Sequence, residues 1–457
     1  MRLLLIHPCV GRHAGQKNYI KTWKMQPLPP ALISALAKQT LGRHVEVRFL
    51  DDRFDKIRDD EAADLVCLST ETYTARRAYQ IAGIFRRRGI PVVMGGFHAT
   101  LCSNEVMRFA EAVVIGEAEK SFPLLLEDFV AGKLQRIYRT EGRSTERVRP
   151  DRSIYQGKSY LPIGLVEYSR GCRFTCDFCA ITAAFNASHT HSKIDQVLDE
   201  IEEVRRPGQM IFFIDDNFAS DPDSARALCE ALKGKGIRWV SQASSTATWD
   251  PDLLNLMRES GCQGVLVGLE SLNEDALKTM RKTFNLKRGG HAETLARLRE
   301  AGLRVYGTFI FGYDTDTPEV FETTVEFAIQ HGLFIAAFNH ITPFPGTPLY
   351  QRLQDEGRLI YDAWWLDPRY RYNEIPFTPR GMDHEELERG CLLARKRFYS
   401  WGSIAKRFRS HALLRQGGRM AFNFWLINAM HQRDVVGRSG MPLGDAGDTR
   451  PLVEVDL

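Results

Sequence analysis

Over the first 130 residues, short and almost wholly apolar runs alternate with segments of helical period. LLLIHP, VEVRFLDD, DLVCLST, PVVMGG and AVVIG each end in small or polar residues, and patterns such as ALISALAKQ and ARRAYQIAGIFRRRG separate them. Runs apolar on both sides are strands of a parallel sheet covered by helices on both faces. Five of them predict a flavodoxin-like, doubly wound α/β domain over residues 1–135. The polar stretch 132–159 has little periodicity and predicts a linker, set at 136–160. Alternation resumes with IGLVEYS, MIFFIDD, IRWVSQAS, GVLVGLE, RVYGTFIFG and FIAAFNHITP, with helical patterns such as SKIDQVLDEIEEVRR between them. Six β/α repeats predict a partial (β/α)6 TIM-type barrel over 161–375, its functional groups gathered at the carboxyl ends of the strands. Residues 376–457 read as a C-terminal helical region with a loose tail after Gly437.

Composition narrows the possibilities. A chain of 457 residues, 44% hydrophobic, is long enough for two or three cores and too apolar for disorder. Its 61 Lys and Arg against 57 Asp and Glu leave a formal charge of +4, too little for a nucleic-acid coat, so no nucleic acid partner is expected. No apolar run approaches the roughly 18 to 20 residues that span a bilayer, and MRLLLIHP lacks a signal-peptide cleavage pattern. A cytoplasmic protein is expected. The stretch 401–438 carries seven Lys and Arg and one Asp, interleaved with Phe408, Leu413, Leu414, Phe422, Phe424, Trp425 and Leu426. It reads as a helical layer on the barrel with its basic side in water, and peripheral contact with a membrane is the alternative. Trp364, Trp365, Tyr370 and Tyr372 read as core beneath that layer.

Nine cysteines are an odd number, and Cys9, Cys67, Cys102, Cys229, Cys262 and Cys391 stand singly in apolar surroundings, which is no disulfide framework. The other three differ. SRGCRFTCDFCA places Cys172, Cys176 and Cys179 in a C-x3-C-x2-C array directly after the first barrel strand. Thiolates suit zinc or iron–sulfur clusters, and three of them leave one iron of a four-iron cluster without a protein ligand. A structural zinc site needs a fourth ligand; His189 and His191 are the nearest candidates, and no second C-x2-C pair is present.

On these residues the chain resembles the radical S-adenosylmethionine (radical SAM) enzymes, whose signature is C-x3-C-x-aromatic-C, with Phe178 in the aromatic position. The resemblance extends to Arg170 and Gly171, FFIDDN, GLES, FIFGYD and PFPGTPLY, and to a preceding cobalamin (B12)-binding-type domain, about residues 1–350 in all. It implies a [4Fe-4S] cluster on the three cysteines. S-adenosylmethionine chelates the fourth iron and is cleaved reductively to a 5'-deoxyadenosyl radical. It further implies that Asp215, Asp216 and Asn217 meet the methionyl amino group, where a Gly-Gly-Glu type motif is common. Gln242, Ser244 and Glu270 would then serve the carboxylate and ribose, and Phe309, Phe311 and Gly312 the adenine. From the residues alone, Asp-Asp-Asn equally caps a helix, the polar strand residues equally plug the barrel, and strand phenylalanines are ordinary core.

For the N-terminal domain the resemblance implies a corrinoid cradled by Pro8 and Cys9, Ser69 and Thr70, Gly95, Gly96 and His98, and Gly116 with Glu117. Small residues there permit close approach by a flat macrocycle, or simply form tight turns. His13 lacks the Asp and the glycine spacing of a cobalt-ligating Asp-x-His-x-x-Gly motif and is not assigned as an axial ligand. The implied function is cobalamin-dependent methylation of an unactivated carbon in a metabolite, lipid, tetrapyrrole or peptide-derived substrate, with flavodoxin or ferredoxin as electron donor. Radical rearrangement, cyclisation or oxidation without methyl transfer is the second reading, and a non-catalytic iron–sulfur or zinc protein the third. Glu167, Tyr306, Tyr313, Asp314 and His340, near strand ends, read as internal hydrogen-bond partners.

Overall fold

The computed structural model describes residues 1–11, 24–144, 147–410, 418–437 and 439–455. Strands β1 (Arg2–His7), β2 (Glu46–Asp51), β3 (Leu65–Ser69), β4 (Val92–Gly95), β5 (Ala112–Ile115) and β6 (Ile137–Arg139) form one parallel sheet in the order β2-β1-β3-β4-β5-β6. Alternation along β1 explains its continuous apolar run: Leu3 and Leu5 enter one core with helices Leu28–Leu41 and Ala118–Val130, and Leu4 and Ile6 enter the other with helix Ala75–Arg86. The sixth strand lies in the segment read as linker. At three residues it is too short to leave a periodic signal.

The second core also takes Trp364, Trp365 and Tyr370. These aromatic residues were expected beneath the C-terminal helices; they instead cover the N-terminal sheet, where the Trp365 indole donates to Glu105 at 3.0 Å.

The second unit begins with β7 (Ile163–Val166), followed by an antiparallel ribbon of β8 (Ser169–Gly171) and β9 (His189–His191). Strands β10 (Met210–Phe213), β11 (Trp239–Ala243), β12 (Cys262–Glu270), β13 (Arg304–Phe311) and β14 (Ile335–His340) complete a parallel sheet ordered β14-β13-β12-β11-β10-β7. This is the partial barrel. Along β13, Val305, Gly307, Phe309 and Phe311 are buried, whereas Tyr306, Thr308 and Ile310 are half-buried. The buried set packs under the helical coat, so the half-buried set faces the barrel interior.

Helices His384–Phe398, Trp401–Ser410 and Gly418–Gly437 form the C-terminal layer. Asp383 and Glu386 start the first of them with a reciprocal capping box. The basic stretch is not solvated throughout: Arg407 is fully buried, donating to the carbonyls of Leu333, Phe334 and Phe398 and to Asn428 Oδ1 at 3.0–3.2 Å. Phe424 is buried and Trp401, Phe422 and Leu426 are exposed; Leu413 and Leu414 lie outside the described residues.

The tail read as loose is held to the N-terminal domain. Leu443 is buried in its core, Asp445 N donates to Gln80, and Glu454 pairs with Arg108. Polar anchoring of this kind leaves no periodic pattern. Among the described residues no helix is long and apolar enough to cross a membrane.

Candidate active site between the two sheets

The cysteine loop leaves β8 through Gly171, at φ +84°, where an added Cβ would stand 2.1 Å from the Ser188 carbonyl oxygen. Only glycine fits there. The acidic pair after β10 secures this approach from below. Asp215 accepts from Tyr168 N at 2.9 Å and Ser169 Oγ at 2.7 Å, and Asp216 accepts from Gly171 N at 2.6 Å. Burial raises both carboxyls, Asp215 to about 7 and Asp216 to about 6. Both oxygens of Asp215 are thus engaged by the protein, whereas Asp216 also borders the open cavity described below. Asn217 joins the loop to β11: its amide donates to Cys172 Sγ at 3.4 Å and Ser244 Oγ at 3.3 Å, and its oxygen accepts from Ser244 N at 3.0 Å.

None of the nine cysteines is in a disulfide. Burial pushes Cys176 up to about 12 and also raises Cys179, and the charge of Cys172 acts in the same direction on both. The three thiols stand on one short loop, a donor set that a cationic iron–sulfur core would stabilise as thiolates. Among the described residues no three His, Cys, Asp or Glu side chains converge on a single-ion site. Phe178 packs, partly buried, against the barrel core.

Glu270 ends β12 at φ +66°, where the register with β13 shifts, and meets Lys282 Nζ at 2.5 Å. Their side chains are 7% and 10% exposed. Burial acts to lower the Lys282 pKa, but the charges of Glu270 and Cys176 outweigh it and the net direction is upward. Gly268 makes room for the pair: a Cβ there would lie 2.1 Å from Glu270 Oε1. Lys282 was missed by the sequence reading, because nothing in TMRKTF separates it from its exposed neighbour Arg281. Gln242 and Ser244 are half-buried on the interior face of β11 and just beyond it.

Phe309 and Phe311 do not reach the interior. They stack on Phe338, with ring centroids 5.4 and 6.4 Å away, on the helix-covered side. Strand parity decides this, since the interior positions are Tyr306, Thr308 and Ile310. Gly312 is likewise a packing glycine, its absent Cβ leaving space for Leu387 at 2.7 Å.

A cavity of about 630 Å³ separates the two sheets. Ser69, Gly95, Gly96, Gly116 and Glu117 border it from the strand ends of the N-terminal domain, and Glu167, Arg170 and Asp216 from the barrel mouth. At Gly95 and Gly116 an added Cβ would meet protein only at 3.5 and 3.9 Å, so a side chain there would enter the cavity rather than the fold. Such a bare wall suits a broad, flat ligand. Four other candidates are not on it. Pro8 and the thiol of Cys9 are buried, the latter donating to Asp52 at 3.2 Å. Thr70 is buried behind β4, its N–H on the Gly95 carbonyl. His98 is fully buried, with its ring nitrogens on Glu105 and Thr72 at 3.0 and 3.3 Å.

Arg170, two residues before Cys172, ties the halves together. It reaches Glu117 at 3.2 Å, Glu119 at 2.5 Å and Glu167 at 2.6 Å. Arg143 and Arg147 approach Glu117 at 3.4 and 3.6 Å from the segment read as linker, an ionic contribution that its composition alone did not reveal.

Residues 166–328 match the family model of the radical SAM superfamily, and residues 347–450 match a domain of unknown function (DUF4070). The chain is 29% identical over 399 residues to bacteriochlorophyllide d C-12(1)-methyltransferase of Chlorobaculum tepidum, spanning 85% of each protein. It is 28% identical over 427 residues to hopanoid C-2 methylase of Rhodopseudomonas palustris, spanning 82% of this chain and 80% of that one. A solved structure of the cobalamin-dependent S-adenosylmethionine radical enzyme OxsB, with aqua-cobalamin and S-adenosylmethionine bound, shares the fold. The TM-score is 0.65 at 14% identity, covering 95% of this chain and 71% of that one. Residues 166–328 thus carry a radical SAM domain, its cysteine triad at the mouth of a six-stranded partial barrel, and with the second parallel sheet facing that mouth the chain has the fold seen in OxsB.

Proposed function

We propose that the protein is a cobalamin-dependent C-methyltransferase acting on an unactivated carbon of an apolar small molecule of the lipid or tetrapyrrole kind. The observation that carries this reading is the single cavity into which both the strand ends of the N-terminal sheet and the barrel mouth open. Its walls are largely apolar, including Leu5, Ile6, Leu28, Leu32 and Phe97. The two relatives named above, a bacteriochlorophyllide and a hopanoid methylating enzyme, support the same substrate class.

Cys172, Cys176 and Cys179 would hold the [4Fe-4S] cluster, and Ser69, Gly95, Gly96, Gly116 and Glu117 would cradle the corrinoid. When bound, the cluster supplies the electron that splits S-adenosylmethionine to a 5'-deoxyadenosyl radical, and the corrinoid supplies the methyl group. The chain's own residues bind, orient and exclude water. Asp216 would accept the methionyl ammonium, Lys282, held by Glu270, would meet the carboxylate, and Gln242 and Ser244 the ribose. Asn217 donates toward Cys172 Sγ, a bond that stabilises negative charge on that sulfur. Flavodoxin or ferredoxin in the cytoplasm would serve as the electron donor.

The test is anaerobic reconstitution of the full chain with iron, sulfide and cobalamin, followed by quantification of 5'-deoxyadenosine, S-adenosylhomocysteine and bound corrinoid. All three are expected in the wild type, and replacing any triad cysteine by alanine should abolish 5'-deoxyadenosine. A reduced four-iron cluster that yields none would overturn the radical reading. Deoxyadenosine without S-adenosylhomocysteine or bound corrinoid would overturn methyl transfer in favour of a rearrangement or oxidation.

A further inference from the structure

Between the second and third cysteines stands Asp177, whose side chain takes no part in the site described above. It is 4% exposed and is held from three separate parts of the chain. Its N–H donates to the Met280 carbonyl at 3.2 Å, just before Lys282. Its Oδ1 accepts from the Tyr313 hydroxyl at 2.7 Å, beyond β13. Its carbonyl accepts from Leu349 N at 3.1 Å, and its Oδ2 faces Arg352 Nη1 at 3.7 Å, both on helix Pro348–Asp355. With its carboxylate taken up in this way, Asp177 is not a metal ligand.

The far side of that helix leads directly to the other half of the molecule. Tyr350 lies with its ring centroid 5.8 Å from that of Trp365, and its hydroxyl donates to the Asp362 carbonyl. Trp364 and Trp365 are buried in the core of the N-terminal sheet, where Glu105 accepts from the Trp365 indole and Arg76 donates to the Leu366 carbonyl. One continuous stretch, from Leu349 to Leu366, thus touches the cysteine loop at its start and the N-terminal sheet at its end.

We infer that Asp177 is a positioning residue through which helix Pro348–Asp355, the first element of the segment matching a domain of unknown function, holds the cysteine loop at a fixed place relative to the N-terminal sheet. The inference rests on the radical SAM reading of the triad. A carboxylate that orients a loop between two ligands acts as outer-shell partners of metal sites do, and losing such a partner lowers metal retention by roughly one to two orders of magnitude.

The experiment uses the full chain, reconstituted anaerobically, in the wild type and in Asp177→Ala, Asp177→Asn, Arg352→Met and Tyr313→Phe. Iron release to a chelator, the EPR line shape of the reduced cluster and the thermal midpoint are measured on each. Asp177→Ala is expected to release iron roughly tenfold faster than wild type with an altered line shape. Asp177→Asn, which keeps an acceptor for Tyr313, should recover most of the retention. Wild-type release and line shape in Asp177→Ala would overturn the inference. Should Asp177→Ala fail to fold, Arg352→Met and Tyr313→Phe decide the matter from outside the loop: at least one must speed release by about threefold, and unchanged release in both overturns it. A wild-type chain that takes up no iron would sink the family reading instead, so the two failures are distinguishable.

Discussion

At Asp215, burial lifts the carboxyl to about 7 in opposition to the hydrogen bonds from Ser169 and Tyr168. Because the folded value lies above the unfolded one, the folded state holds more protons between about pH 4 and pH 7, and stability falls as pH rises through that window. Asp215→Asn keeps an acceptor for Tyr168 N, turns the second position into a donor toward the Ser169 hydroxyl, and cannot ionise. Its thermal midpoint should be flatter than that of wild type from pH 4 to 7 and higher at pH 8, as followed by circular dichroism; parallel profiles would exclude Asp215 as the source. The Glu270–Lys282 pair behaves differently because each partner cancels the other's buried charge. Lys282→Met leaves a buried carboxylate uncompensated, at a cost of about 3 to 5 kcal/mol. The double variant Lys282→Met with Glu270→Gln should recover part of the lost thermal midpoint. At this scale the cysteines were legible, since spacing alone brings three thiols to one loop. Lys282 was not, because whether a lysine is buried depends on how separate elements pack, here on Glu270 at the end of the preceding strand.

Elements carry a second kind of competition. Gly390 lies inside helix His384–Phe398, where alanine would ordinarily be favoured by roughly 1 kcal/mol. An added Cβ, however, would stand 2.2 Å from the ring of Phe321 on helix Glu319–Gln330. Overpacking costs about 1 to 3 kcal/mol, so packing should win and Gly390→Ala should lower the thermal midpoint; an unchanged or higher midpoint would show that the ring yields. Strand existence was readable from apolar runs because parallel strands are buried on both faces. For the same reason facing was not readable: in RVYGTFIFG both parities are apolar, and only the helical coat shows that Phe309 and Phe311 point outward. Strand β6 escaped detection because three residues hold too little pattern.

Across the whole molecule, the two sheets are joined by distributed contacts rather than by one interface. Arg170 bridges to Glu117 and Glu119, the Trp364–Trp365 segment fills the N-terminal core, and the C-terminal tail returns to the same domain. Leu443 anchors that tail at 1% exposure, and Leu443→Ala should cost about 2 to 5 kcal/mol. The expected readout is faster limited proteolysis within 439–455 together with a lower thermal midpoint. Resistance equal to wild type would mean that the polar contacts of Gln80 and Arg108 suffice to hold the tail.

By itself the sequence determined the strand and helix order, the two parallel sheets and the cysteine chemistry, because these follow from local periodicity and short spacing. Tertiary structure alone decided which candidates share the cavity. It removed His98, Cys9, Phe309 and Phe311 from the cavity or barrel interior, brought in Arg147 and Arg170, and set Lys282 beside the thiols. Those outcomes depend on which face of a strand the helices cover and on charges meeting between separate elements, 12 residues apart at Glu270–Lys282 and 53 at Glu117–Arg170, and neither quantity is local to one element.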